Sequence, residues 1–153
     1  MLNLLLMAIL TGNLVGGGVQ HSPSTFCEGC AMANLRDVMI QVESTGNPMA
    51  TSVKGARGLM QITKPALDDW NTYNSVKYNM DDMYDKDKNI QVSNWYLTRR
   101  IPSMLRTYGI KDTLDNRLWA YNAGIGRVRK GILPKETSDY IKKIKSRMGA
   151  DYE

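Results

Sequence analysis

Histidine is almost absent from this chain, which has a single one, His21, among its 153 residues. Ser-His-Asp and Cys-His catalysis both need a histidine base, and His21 lies in an unusual N-terminal segment, so these arrangements have little support. The zinc-protease pattern H-E-x-x-H is absent, and so is the phosphate-binding pattern G-x-x-x-x-G-K followed by Ser or Thr. An enzyme of this composition is left with carboxylate chemistry, and we expect no cofactor and no metal ion.

Cysteine is nearly as scarce, since Cys27 and Cys30 form one C-x-x-C pair and no others are present. A zinc site needs about four ligands, and His21 is the sole further candidate nearby, so no zinc site is expected. A thioredoxin-like motif needs a βαβ setting, which the pattern around the pair does not indicate. A small disulfide in an oxidising compartment and a pair of inert thiols both remain open.

The chain also lacks a run of ~20 apolar residues, the length that spans a membrane as a helix. A shorter apolar run lies within Met1–Leu10, the glycines at 16–18 follow it, and the first charged side chain is Glu28. An apolar core followed by small residues is typical of a signal peptide, although the basic residues that usually precede the core are missing. A weak, releasable membrane anchor and a buried or frayed N-terminal segment are the alternatives.

We therefore predict a leader over residues 1–30, either a signal peptide or a weak anchor with transient membrane contact through residues 1–20. The folded domain then covers residues 31–153. This interpretation predicts an exported protein, periplasmic or associated with a cell wall, and a membrane-anchored or phage-encoded protein also fits it.

Strand-like alternation is missing too, whereas apolar residues recur at helical spacing along most of the chain. With 42% hydrophobic residues, the chain can build one core. We predict a mainly α fold in a single domain, with a small irregular or β-like element near Gly58. The boundaries expected for its helices are a stop at Gly46, a cap at Thr63 with Pro65 behind it, a start near Asp87 with a kink or break at Pro102, an end at Gly124 and Gly126, and a last helix opened by Pro134.

The charge is positive, with a formal net charge of +5, and basic residues concentrate between Arg127 and Arg147. Such a segment attracts polyanions, which include nucleic acid, anionic lipid and cell wall, but it is equally typical of a solvated helix face. A nucleic-acid binder is one hypothesis for the chain. It rests on these charges alone, with no recognised nucleic-acid motif or stacking platform beside them, so no nucleic acid is expected as a partner.

Glu43 is the acidic residue whose position points to catalysis. It falls in the last turn of a predicted helix, beside the apolar face and just before Gly46. The partial negative charge of a helix C-terminus and partial burial both disfavour a carboxylate, so both raise its pKa. A general acid that works near neutral pH needs such a rise. From the spacing alone, a plain surface glutamate is the better interpretation.

Three blocks of sequence carry a stronger signal than any single residue. They are Glu43-Ser44 with Asn47-Pro48, Ser52 and Gly55–Ile62, then Ala120–Val128, then Leu133–Tyr140. In this order and spacing they resemble the signatures of the lytic transglycosylase family, in its soluble-type branch, which is related to goose-type lysozymes. Asn89-Ile90 and Tyr96-Leu97, between the blocks, are similar to that family as well. The chain departs from the family pattern at Thr63-Lys64-Pro65, where Met-Pro is usual, and by one residue in the third block.

The resemblance implies a lysozyme-like helical domain with a groove that binds peptidoglycan glycan strands. It implies that Glu43 acts as general acid and base at the bond between N-acetylmuramic acid and N-acetylglucosamine, giving a 1,6-anhydro product. No second carboxylate is then needed, unlike in most glycosidases. The residues that the resemblance implies for substrate binding are Ser52, Gln61, Tyr96, Tyr121, Asn122, Glu136 and Tyr140.

Two alternatives share the implied fold. A hydrolase would use water in place of the sugar's own hydroxyl, and a non-catalytic module would bind the wall without turnover. The settings that fit a short catalytic domain behind an apolar leader are wall remodelling, an opening for a secretion or conjugation apparatus, and phage lysis or entry.

Overall fold

The computed structural model describes the backbone of residues 28–149 and the side chains of residues 31–149. The α-helices of this part are α1 (Glu28–Glu43), α2 (Lys64–Tyr73), α3 (Lys86–Trp95), α4 (Ile101–Thr107), α5 (Leu114–Ala123), α6 (Ile125–Arg129) and α7 (Lys135–Met148). A 3₁₀ helix spans Asp81–Tyr84, and a π-helical turn spans Tyr96–Arg100 between α3 and α4. The mainly α fold that the periodicity predicts is confirmed.

The predicted leader lies outside the described residues, except that the backbone of residues 28–30 begins α1. The side chains of the C-x-x-C pair therefore lie outside the description too. Within residues 28–149, no helix combines the length and the apolar character that a membrane crossing needs.

The core forms where α7 packs against α1 and α5, while α5 also contacts α4 and α6. Met39 of α1, Leu118 of α5 and Ile144 of α7 are each completely buried at this junction of helices. Burying a side chain of this size stabilises the fold by roughly 1.5–3 kcal/mol. The packing of α1 on α7 brings the end of α1, and with it Glu43, against the N-terminal half of α7.

The loop between α1 and α2 carries the β-like element expected near Gly58. Two isolated antiparallel bridges pair Thr51 with Arg57 and Arg57 with Ile62. Gly58 lies in this element with a φ of +77°, and a Cβ at that position would overlap the carbonyl oxygen of Met83. Only glycine lets the loop turn and approach the neighbouring backbone so closely.

The end expected at Gly126 is wrong. Gly124 ends α5 with a φ of +82°, but α6 begins immediately afterwards and contains Gly126. The first bond of the new helix, from the Arg127 N–H to the Gly124 carbonyl, is 3.1 Å long. Gly124 therefore ends α5 and leads the chain directly into α6.

Thr63 occupies the N-cap position of α2, as expected, but its side chain makes no capping hydrogen bond. Pro102 interrupts the regular α-helix, because the turn before it is π-helical, with the Ile101 N–H bonded to the carbonyl of Tyr96. Proline has no N–H, so the regular pattern of hydrogen bonds is lost at this point in any case.

Candidate active site

Glu43 is the last residue of α1, in agreement with its predicted place in the last turn of that helix. The helix stops because the next backbone positions turn left-handed, with a φ of +53° at Thr45 and +80° at Gly46. The Gly46 N–H returns to the carbonyl of Ile40 at 3.4 Å and closes the helix end. The carboxyl group of Glu43 is thereby fixed at the C-terminus of a helix, with its side chain largely buried.

Tyr140 of α7 holds the carboxyl group of Glu43. Its hydroxyl donates a hydrogen bond of 2.6 Å to Oε1 of Glu43, and Tyr140 is buried, with 8% exposure. Burial raises the pKa of Glu43 from 4.5 to about 7, against the smaller lowering effect of the Tyr140 hydrogen bond. This rise has the direction that the sequence predicts, and burial is its main cause. A carboxyl group with this pKa can both give and accept a proton near neutral pH.

Tyr121 of α5 lies beside the same carboxyl group. Burial raises the pKa of Tyr121 well above its usual 10, and the charges of Glu43 and Tyr96 raise it further. Its hydroxyl donates to the carbonyl of Met60 at 2.8 Å. The rings of Tyr96 and Tyr121 meet edge to face, with their centroids 6.1 Å apart. Tyr121 therefore neighbours both Glu43 and Tyr96, and the two tyrosine rings form an aromatic wall.

A cleft of about 190 Å³ lies against this wall. Four of the residues expected to bind substrate line it, namely Gln61, Tyr96, Tyr121 and Asn122. The other residues of its lining are Ile62, Thr63, Pro65, Ala66, Ala120 and Gly124. Two members of the unusual Thr63-Lys64-Pro65 segment thus contribute to the lining, where the family usually has Met-Pro.

Tyr96 begins the π-helical turn, a type of distortion that often occurs at functional sites. Burial raises the pKa of its phenol to about 12, with a further rise from Asp69 and an opposing effect of Arg100. Arg100, at the end of the same turn, makes two hydrogen bonds to Asp69, of 2.9 and 3.2 Å. The guanidinium also lies over the ring of Tyr73, 4.4 Å from its centroid. The turn is thus anchored on α2, and Tyr96 stays neutral at the cleft.

Ser52 and Gln61 both bind the backbone of their own loop. Ser52 Oγ accepts a hydrogen bond of 3.0 Å from the Ala56 N–H. The side-chain amide of Gln61 donates to the carbonyls of Ala50 and Gly58, at 3.2 and 3.0 Å. Gln61 also adopts a φ of +48°, which is unusual for a residue other than glycine. Gln61 lines the cleft, whereas Ser52 does not belong to its lining.

The third block divides into an exposed and a buried part. Glu136 lies exposed in the first turn of α7, and the structure places it outside the lining of the cleft. Thr137 is 2% exposed and donates a hydrogen bond of 2.8 Å to Oδ1 of Asn122. This bond ties the end of α5 to the start of α7, three residues before Tyr140. Tyr140 reaches Glu43 from the core side and does not line the cleft.

The sequence patterns did not predict the backbone groups and buried side chains that hold the residues of the site. Met60 is buried in the core, with 1% exposure, and its carbonyl also receives the hydroxyl of Tyr121. Thr137 and Asn89 carry side-chain hydrogen bonds that no spacing rule indicates. The similarity of Asn89-Ile90 to the family was the one available signal for the latter.

Comparisons with known proteins agree with the motifs. The family model described as "Transglycosylase SLT domain" matches residues 32–144. Two relatives, from Histophilus somni strains 2336 and 129Pt, are named "Membrane-bound lytic murein transglycosylase F", and each is 34% identical to this chain over 86 residues. The matched segment covers 56% of this chain and 16% of each relative. No solved structure matches significantly. The family resemblance is confirmed, and the helical fold is consistent with the lysozyme-like domain that it implies.

Proposed function

Because the chain belongs to the family of transglycosylase SLT domains, we propose that it cleaves the glycan strands of peptidoglycan, with Glu43 as the single general acid and base. The observation that carries this proposal is the largely buried Glu43 carboxyl group, whose pKa lies at about 7 and whose Oε1 is held by the Tyr140 hydroxyl. The sugar bond cleaved is the β-1,4 bond between N-acetylmuramic acid and N-acetylglucosamine.

In the first step, protonated Glu43 gives its proton to the glycosidic oxygen, and the bond from that oxygen to C1 of the muramic acid breaks. The Tyr140 hydroxyl occupies Oε1 as a donor, so Oε2 is the atom that carries the transferable proton. The N-acetylglucosamine leaves with a new hydroxyl group. Positive charge develops at C1, and the acetamido group of the substrate stabilises it.

In the second step, the C6 hydroxyl of the same muramic acid attacks C1, and the Glu43 carboxylate takes its proton. A C1–O6 bond replaces the broken bond, no water is consumed, and Glu43 returns to its starting protonation state. These two steps need one carboxyl group, and that of Glu43 serves in both. This mechanism differs from the two-carboxylate scheme of most glycosidases.

The cleft supplies the sugar contacts in this proposal. Tyr96 and Tyr121 present aromatic surface, which suits the apolar faces of sugar rings. Asn122 and Gln61 add amide side chains to its lining. Ser52 and Glu136 lie outside the lining of the cleft, so we assign them to the loop and to the outer surface of α7.

We place the enzyme at the cell wall, with residues 31–153 as the catalytic domain and residues 1–30 as the leader. Exposed basic residues on α6 and α7, such as Arg127, Lys142 and Lys143, favour contact with anionic polymers of a wall. The opening of the wall for a secretion, conjugation or phage apparatus is the setting that we propose for this activity.

Mass spectrometry of the soluble products of peptidoglycan digestion tests the proposal. Wild-type protein should release anhydro-muropeptides, and Glu43→Gln should lower the rate by ~10²-fold or more while the protein stays folded. Asp37→Asn is the matched control, because Asp37 is an exposed carboxylate on the same helix, with an ion pair to the neighbouring Arg36. It should keep the wild-type rate.

Two other outcomes decide between the alternatives. Products with reducing ends, heavier by one water, would show a hydrolase on the same cleft and would overturn the second step. No release by any of the three proteins would favour a module that binds the wall without turnover.

A further inference from the structure

We infer that Asn89 of α3 is a positioning residue, which sets the geometry of the cleft through the backbone of Met60 and Gln61. Its catalytic meaning rests on the function proposed above, but the contacts that carry it do not. Asn89 lies outside the lining of the cleft and touches neither Glu43 nor Tyr140 by a hydrogen bond.

The side chain of Asn89 is completely buried and fully engaged with the backbone of other segments. Its Oδ1 accepts from the Met60 N–H at 2.9 Å. Its Nδ2 donates to the carbonyl of Arg57 at 2.9 Å and to the carbonyl of Met83 at 2.8 Å. This buried amide binds three backbone groups, two in the loop that carries Arg57 and Met60 and one in the 3₁₀ helix that carries Met83, so it fixes the loop relative to that helix.

Gly58 shows how closely the loop rests on this amide. With a φ of +77°, a Cβ at Gly58 would overlap both Nδ2 of Asn89 and the carbonyl oxygen of Met83. The two residues therefore depend on each other: the glycine permits the approach, and the asparagine satisfies the polar groups that the approach buries.

Asn89 affects the cleft through the backbone of Met60 and through Gln61, which follows it. The Met60 N–H binds Asn89, while the Met60 carbonyl receives the hydroxyl of Tyr121. Gln61 follows at once, with its strained φ of +48° and its side chain at the cleft. A shift of the Met60 backbone therefore moves Tyr121 and Gln61 together.

Glu43 is held from another side of the site, by Tyr140 on α7. Loss of Asn89 should therefore disturb the binding of the sugar more than the acid itself. We expect Asn89→Ala to raise KM for a soluble glycan oligosaccharide by about tenfold, the effect of losing about 1.4 kcal/mol of binding free energy. The alkaline limb of the pH profile of kcat should stay near that of the wild type.

A merely structural role makes a different prediction. Partial unfolding lowers the concentration of active enzyme, so it lowers the apparent kcat and leaves KM unchanged. Val92→Ala provides the matched control, because Val92 is also completely buried on α3 but packs in the apolar core. It should lose stability and keep the wild-type KM.

The experiment compares wild type, Asn89→Ala and Val92→Ala in kcat, KM and amide hydrogen exchange, at a temperature where circular dichroism shows all three folded. If Asn89→Ala does not fold at any temperature, Asn89→Ser replaces it. The hydroxyl of serine leaves a polar group beside the backbone groups that Asn89 binds. Faster exchange at residues 57–62, together with the raised KM, in the Asn89 variant alone would support the inference. An unchanged KM, or an equal rise in Val92→Ala, would overturn it.

Failure of the proposed function gives a separate result. A wild-type protein that cleaves no glycan refutes that function. The Kd for the same oligosaccharide, measured by calorimetry, then replaces KM as the readout. An Asn89→Ala protein that binds it as tightly as wild type would still overturn the positioning role.

Discussion

Glutamine in place of Glu43 should make the protein more stable at pH 8 and leave its stability unchanged at pH 4. The carboxyl group is ionised in the unfolded chain above its ordinary pKa of 4.5, whereas burial in the folded protein raises the pKa to about 7. The folded state therefore binds the proton more strongly than the unfolded state. Through this group, the protein has its full stability below pH 4.5 and loses stability as the pH rises through 7.

The size of the loss follows from the difference between the two pKa values. A difference of 1 in pKa corresponds to about 1.4 kcal/mol. The ionised Glu43 therefore lowers the free energy of unfolding by about 3 kcal/mol at pH 8. Glutamine is neutral at every pH, and its side-chain oxygen can still accept the hydroxyl of Tyr140. The Glu43→Gln protein should consequently gain about 3 kcal/mol at pH 8, which corresponds to a rise of roughly 6–12 °C in Tm for a chain of this length.

Urea unfolding followed by circular dichroism at pH 4, 6 and 8 measures this directly. The gain should be near zero at pH 4, intermediate at pH 6 and largest at pH 8. Asp37→Asn, which removes an exposed carboxylate from the same helix, should differ from wild type by less than about 0.5 kcal/mol at each pH. A gain that is absent at pH 8, or that is equal at all three values, would refute the argument from burial.

Two further predictions concern single hydrogen bonds. Tyr140→Phe removes the bond that lowers the pKa of Glu43, so the alkaline limb of the pH profile of kcat/KM should move to higher pH; an unmoved limb would contradict this. Trp119 has a buried indole N–H without a partner among the described residues, whereas the N–H of Trp70 donates to the carbonyl of Val76 at 2.9 Å. In thermal unfolding, Trp119→Phe should therefore cost at least about 1 kcal/mol less than Trp70→Phe, and equal losses would count against this.

Local patterns predicted those parts of the site that lie within one helix or one turn. The end of α1 at Glu43 follows from apolar spacing and from Gly46, and the raised pKa follows from the position of the carboxyl group beside an apolar face. The hydrogen bond from Tyr140 to Glu43 joins residues 97 positions apart, so no local spacing contains it. The hydrogen bond to the Met60 carbonyl cannot be predicted from the sequence either. Every residue has a carbonyl group, and only the fold selects its partner.

The strained conformation of Gln61 explains why its loop needs so many side-chain contacts. A residue other than glycine with a φ of +48° costs about 1 kcal/mol or more and persists where the surroundings hold it. The side-chain amide of Gln61 donates to the carbonyls of Ala50 and Gly58, and Asn89 accepts a hydrogen bond from the neighbouring Met60 N–H. These bonds hold in place a backbone that directs the Met60 carbonyl at Tyr121. Ser52 and Gln61, both from the first block, thus act mainly on the backbone of their own loop, whereas Tyr96 and Tyr121 line the cleft.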